Sequence, residues 1–349
     1  MKNSILPRLT VTALVATLSI LLLVGCSPSQ PSSSEQAPDT GSVSGEKLRV
    51  ATTVSPITSL VENIGGDRIV LEGIVPEGTN SHTFEPSPSV ATILGRADLF
   101  VANGLFLEEP TIQLAKSNLP EGARTLLLAE KTITRDEWVF DFSFPESDGH
   151  PNPHLWTAPH LAIKYAELIK LELIEMDSAN GPYYEENFGK LRASIEDLDE
   201  RIAAAVQTIP PENRKLLTYH DSFPYFGPRY GFEIIGAVQP SDFSEPSTRE
   251  VARLIDQVRE TRVPAIFGSE VFPSPVMEQI AREGGVTFVD RLRDDDLPGE
   301  YGDSNHTYMG LILEDARIIT ENLGGDPSAL DGYDPSPVIS GPSGATYPQ

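Results

Sequence analysis

Three histidines stand where a folded chain could bring imidazole nitrogen to bear on a metal ion. His82 lies in the turn-rich run Val75-Pro76-Glu77-Gly78-Thr79-Asn80-Ser81-His82-Thr83-Phe84-Glu85-Pro86, and His154 lies in Asn152-Pro153-His154-Leu155-Trp156. His220 comes directly after the apolar run Leu216–Tyr219, and Asp290 likewise follows Val286-Thr287-Phe288-Val289. Imidazole nitrogen and carboxylate oxygen suit Zn²⁺, which takes four such donors in a tetrahedron at ~2.0–2.2 Å. Four protein donors leave no open coordination position. The set His82, His154, His220 and Asp290 is therefore expected to hold an ion and not to activate water, which points to a binding protein and away from an enzyme. Of the six histidines in the chain, His150 and His160 bracket His154 and are expected to be bystanders, with His150 in solvent; His306 resembles a loop or helix-start residue. Asp290 is preferred to Asp294, Asp295, Asp296 and Glu300 because a strand would fix its Cβ direction. The acidic run after it occupies a Pro- and Gly-containing loop, where carboxylates are ordinarily just solvated.

These residues must be positioned by regular elements, and the chain alternates short β-rich runs with helical patterns, the signature of α/β folds with mostly parallel sheets. Strands are expected at Leu48–Thr52, Ile69–Val75, Asp98–Ala102 and Arg124–Leu128, then at Leu216–Tyr219, Ile234–Val238, Ala265–Phe267 and Val286–Val289. His82, His220 and Asp290 then follow the carboxyl ends of strands, where ligands bind in open α/β sheets. Between the halves, Phe188, Leu191, Ile195, Leu198, Ile202 and Val206 recur at helical spacing and predict one helix from Pro182 to Gln207, roughly 39 Å long. Ser247-Thr248-Arg249-Glu250 is a capping-box pattern, Ser274-Pro275 starts a further helix, and Tyr308 to Leu323 ends at Gly324-Gly325. Two candidate ligands precede the long helix and two follow it, so the ion is expected between two lobes, residues 47–180 and 209–324, joined by a stiff linking helix over 181–208.

The N-terminus reads as a secretory signal: Lys2 and Arg8, an apolar stretch from Leu9 to Val24, and a small-residue site. Leu23-Val24-Gly25-Cys26 resembles the lipobox of bacterial lipoproteins, which makes Cys26 the expected lipidation site and membrane anchor. It is the only cysteine, so no internal disulfide can form. Residues 26–46 have the Ser-, Pro- and Gly-rich composition of a tether, and residues 325–349 are expected to form a frayed tail. Residues 1–25 hold two basic and no acidic side chains, which leaves 24 Lys and Arg against 51 Asp and Glu, a formal charge of −27. Such a chain repels the phosphate backbone, so nucleic acid is excluded as a partner.

The segments Thr79–Pro86, Asn152–Trp156, His220-Asp221-Ser222-Phe223-Pro224-Tyr225-Phe226 with Tyr230-Gly231, and Val289-Asp290 resemble the zinc- and manganese-binding lipoproteins of ABC importers, over residues 47 to 324. The resemblance implies two α/β lobes bridged by a backbone helix, one metal between them, and delivery by a monomer to a membrane permease. It carries over to His82, His154, His220 and Asp290 as ligands. Members selective for manganese tend to have Glu where His220 stands, so three imidazoles and one carboxylate favour zinc, with manganese as the alternative. The chain departs from the pattern at Thr157, where relatives often have Asp, and at Leu313-Glu314-Asp315, where a helical Asn is common. It also lacks a His-rich loop.

Two other readings use the same residues. A secreted metallohydrolase would need an open metal position and a base, for which Glu270 is the one nominee, and no His-Glu-x-x-His sequence is present. A surface adhesin with a structural metal would carry the same ligands.

Overall fold

The structure, a computed structural model, describes residues 46–269, 274–339 and 344–347. Cys26, the signal and the tether lie outside the described residues, as does Glu270. Among the described residues no helix is long and apolar enough to cross a membrane.

Among the described residues, eight short strands form two sheets of four. In the first, β1 (Leu48–Thr52), β2 (Ile69–Gly73), β3 (Leu99–Ala102) and β4 (Arg124–Leu127) lie in the order β2-β1-β3-β4, all parallel. In the second, β5 (Lys215–Thr218), β6 (Glu233–Ala237), β7 (Ala265–Ser269) and β8 (Thr287–Leu292) repeat that order as β6-β5-β7-β8, again parallel. Strands such as Leu99-Phe100-Val101-Ala102 are buried along their whole length, as a parallel sheet covered on both faces requires. In each sheet the chain steps to one side and then crosses back, so a crevice opens at the carboxyl ends of β1 and β3, and of β5 and β7.

The helices of the first half are α1 (Ser55–Gly65), α2 (Pro88–Leu94), α3 (Glu109–Asn118), α4 (Leu128–Thr132) and α5 (Pro159–Met176). After them come α6 (Gly181–Gln207), α7 (Phe226–Tyr230), α8 (Thr248–Thr261), α9 (Pro275–Gly284) and α10 (Tyr308–Asn322). The long helix begins with Pro182 in its first turn, where the missing N–H costs nothing, and stops before Pro210-Pro211. Its apolar stripe packs on α1, α5 and α10. One continuous apolar core threads β1, α1, α5, α6, β5 and α10, so the lobes share an interior, while two smaller clusters fill the outer faces of the sheets. The expected capping box at Ser247 is present, with Ser247 and Glu250 satisfying each other's backbone N–H.

The end of the chain differs from the frayed tail expected. Leu330 is buried, Tyr333 bonds Ser194 on α6, and Val338 N donates to Asn63 on α1 at 2.9 Å. Thr346 then adds to the edge of β2, donating to Leu71 O at 3.1 Å and accepting from Gly73 N at 2.9 Å. A few anchors separated by Pro and Gly are enough to dock a segment whose composition resembles that of a free one.

Candidate metal centre

Each histidine is placed by a short-range device on a different connection. His82 occupies a single 3-10 turn in the loop after β2, where the Asn80 side chain accepts from His82 N at 2.9 Å. For His154, the Asn152 amide oxygen takes both its backbone N–H at 3.1 Å and its ring Nδ1–H at 2.7 Å. The other face of Asn152 donates to Asp221 O at 2.6 Å, which ties this loop to the residue after His220. His220 leaves the end of β5 and gives Nδ1–H to Gln239 Oε1 at 2.6 Å, just beyond β6. With Nδ1 donating in both rings, the Nε2 lone pairs point inward.

The three Nε2 atoms form a triangle with sides of 3.0, 3.1 and 3.2 Å. Its centre is roughly 1.8 Å from each corner, so an ion at ~2.0–2.1 Å from each nitrogen would sit just off the plane. Burial lowers the proton affinity of all three imidazoles, and for His82 and His154 the neighbouring His220 adds to it. Neutral rings with converging lone pairs are in the state a metal requires. No other group of described histidines, cysteines and carboxylates is gathered this way.

Asp290 is not part of this group. Strand β8 runs on to Leu292, three residues past the expected end at Val289, and Asp290 lies exposed within it. The carboxyl edge of the sheet therefore falls at Arg293–Asp296, the run expected to be solvated, and these acids are buried instead. Asp295 is 3% exposed; its Oδ2 accepts from Ser81 Oγ at 2.5 Å, next to His82, and its Oδ1 has no partner. Asp294 is 2% exposed; its Oδ1 accepts from Ser269 Oγ at 3.1 Å, while its unpartnered Oδ2 lies 3.7 Å from His220 Nε2. Burial pushes both carboxyls up to about 7, with the charge of Asp294 adding to the shift at Asp295. A cation beside them would remove that penalty.

The loop is held from three sides. Trp156 Nε1 donates to Asp294 O at 2.8 Å, Ser55 Oγ to Asp295 O at 2.6 Å, and Arg293 N to Asp315 Oδ1 on α10 at 2.9 Å. Asp315, part of the Leu313-Glu314-Asp315 departure, thus fixes the backbone next to the acids. Asp296 Oδ2 accepts from Gly78 N at 2.6 Å, so the acidic loop of the second lobe grips the His82 loop of the first.

The remaining histidines stand apart. His150 is exposed and stacked on Phe106 at 4.2 Å, His160 is half-buried at the start of α5, and His306 lies just before α10, 3.4 Å from Glu77. A cavity of about 210 Å³ opens between His150 and His82, bounded by Phe144 and Phe243. Phe243 stacks on the His82 ring at 4.4 Å.

Residues 50–322 match the model of the ZnuA family, described as zinc-uptake complex component A, periplasmic. The chain belongs to the ZnuA family. The manganese-binding lipoprotein MntA of Halalkalibacterium halodurans is 30% identical over 82% of this chain and 92% of its own length. The iron-binding protein YfeA of Yersinia pestis is 28% identical, over 80% of this chain and 87% of its own. Among solved structures, the periplasmic zinc-binding protein TroA of Treponema pallidum superposes with a TM-score of 0.72 at 25% identity, covering 79% of this chain and 99% of that one. The ZnuA-family fold of two parallel-sheet lobes and a long helix is therefore common to this chain and its relatives.

Proposed function

We propose that this protein is the extracytoplasmic capture subunit of an ABC importer, holding a divalent transition-metal ion between its lobes and passing it to a membrane permease. The observation that carries the reading is the triangle of three Nε2 atoms, two of them on buried rings fixed by amide side chains and the third on the half-buried His82. His82, His154 and His220 serve as nitrogen donors. Asp295 replaces Asp290 as the carboxylate, because it is buried with a free Oδ1 and is bonded to Ser81, the residue before His82, while Asp290 is exposed. Relatives named for zinc, manganese and iron support a metal cargo. Three imidazoles and one carboxylate suit Zn²⁺ by ligand softness. Cys26, acylated after removal of residues 1–25, would tether the body to the membrane, as the lipoprotein names of relatives support. A donor set closed by protein ligands favours holding an ion over hydrolysis.

Elemental analysis of the purified protein, as isolated and after loading with Zn²⁺ or Mn²⁺, tests this. One ion per chain is expected, lost in His154→Ala. Sub-stoichiometric metal under all loadings, or an unchanged content in that variant, would rule the reading out.

A further inference from the structure

Asp294 and Asp295 are suspended in the same manner. Each gives one carboxylate oxygen to a serine, Ser269 for Asp294 and Ser81 for Asp295, with the Ser222 side chain also near enough to act on Asp294, and the other oxygen of each is buried with no partner of hydrogen-bond geometry. A buried, unsatisfied carboxylate oxygen is costly, and two of them on adjacent residues at the edge of a three-histidine cluster are unusual unless something positive sits near them. The Oδ2 of Asp294 is 3.7 Å from His220 Nε2, too far for a hydrogen bond but within the span of two atoms that share an ion. Solvent gives little relief. The void bordered by His220, Ser222, Ser269 and Asp294 is about 10 Å³, at the lower bound for one water. The backbone cannot easily turn the side chain away, because Trp156 Nε1 holds Asp294 O at 2.8 Å and Asp315 holds Arg293 N at 2.9 Å.

Taking the three-histidine centre to be the cargo site, we propose that Asp294 is a second carboxylate donor, and that with Asp295 it widens the range of ions retained. Three imidazoles and one carboxylate complete a tetrahedron, which is what Zn²⁺ prefers. A fifth donor, and an oxygen one, adds little for Zn²⁺. For Mn²⁺ or Fe²⁺, which take more ligands and favour harder ones, it supplies what a four-donor site lacks. The chain would thus recover, from the residue beside Asp295, the oxygen-rich character that His220 alone denies it. Asp294→Asn keeps the shape and an oxygen for Ser269 to bond while removing the charge, so a purely structural role of the side chain would leave the preference between ions unmoved.

The test compares Zn²⁺ and Mn²⁺ affinities of the full-length protein, Asp294→Asn and His154→Ala by competition with a chromophoric chelator. In Asp294→Asn, Mn²⁺ binding is expected to weaken by roughly 10- to 100-fold, the range for changes next to metal ligands. Zn²⁺ binding should change several-fold less, and the paramagnetic resonance spectrum of bound Mn²⁺ should shift. An unchanged ratio of the two affinities would overturn the proposal, whether both fall together or neither moves. If His154→Ala abolishes binding of both ions while Asp294→Asn leaves their ratio intact, Asp294 alone is dismissed. If His154→Ala binds as the parent does, the cargo site itself is misplaced. Should Asp294→Asn fail to fold, Asp294→Ser carries the same comparison.

Discussion

The two sides of the proposed metal centre are built on different principles. On the inner side, His154 and His220 are almost wholly buried, and each hands its Nδ1–H to an amide oxygen, Asn152 or Gln239. On the outer side, His82 is half-buried, borders the cavity that leads to solvent, and is steadied by stacking on Phe243. Hydrogen bonds fix ring rotation and tautomer together, whereas stacking fixes only the plane. On the proposed reading, the inner pair is set before an ion arrives, and His82 is the donor with freedom to follow it in. A single loop after β6 serves both sides, since Gln239 lies just before the turn in which Phe243 N donates to Pro240 O at 3.0 Å. Phe243 sits there at φ 57°, a conformation a bulky residue adopts only when its surroundings hold it.

The sharpest way to break this contrast is to delete an inner donor. His154→Ala or His220→Ala should weaken ion binding by more than ~100-fold, beyond the range expected for residues that only support a ligand. Competition titration measures it, and a loss under tenfold would mean the triangle is not the site. Asp295→Ala should come close to that effect while Asp290→Ala stays within about twofold, as befits an exposed side chain. Equal losses would return the fourth donor to β8.

Acid should act through both kinds of ligand. Asp294 and Asp295, pushed up to about 7, take up protons as pH falls through neutrality. The imidazoles, whose proton affinity is lowered by burial, follow at lower pH. Each ion bound below neutrality must therefore displace protons. An ion supplied at 100 times its dissociation constant stabilises the fold by about 2.7 kcal/mol. At a fixed metal concentration, the metal-induced rise in melting temperature should be full above about pH 8, where carboxyls pushed up to about 7 are charged, and should shrink toward pH 5. A rise that is constant from about pH 5 to 8 would show that these groups do not meet the ion.

Smaller effects separate the amide from the aromatic support. Gln239→Leu should cost roughly 10- to 100-fold in affinity by releasing the His220 ring. Phe243→Leu should change affinity by less than about tenfold, with the difference in association and dissociation rates seen by stopped flow. If Phe243→Leu cost as much as Gln239→Leu, His82 would be as firmly preset as the inner pair.

The long helix was legible because its apolar residues, Phe188 to Val206, kept helical spacing over about five turns, and the lobes because strands and helices alternate cleanly. The histidines stood out because the chain has so few of them, each in a distinctive local run. Asp290 was expected just past a strand for a local reason: the last three residues of β8 are Asp290, Arg291 and Leu292, and two exposed polar residues read as the start of a loop. The burial of Asp294 and Asp295 was hidden for a nonlocal one. Ser55, Ser81, Trp156 and Asp315, which hold that loop, come from distant parts of the chain and become neighbours only after folding. The partnership of Asn152 and Gln239 with imidazoles is illegible for the same reason, although each amide precedes or follows a strand-end loop that could have been suspected.

The pairing of Thr346 with Leu71 and Gly73 closes the outer flank of the first sheet. An open parallel edge is a template for strand addition by any passing chain, and the hazard grows when many copies are tethered side by side on one surface. Here the molecule fills part of that template with Thr346 of its own chain. Trimming the chain before Gly344 would bare the flank and favour pairing between copies.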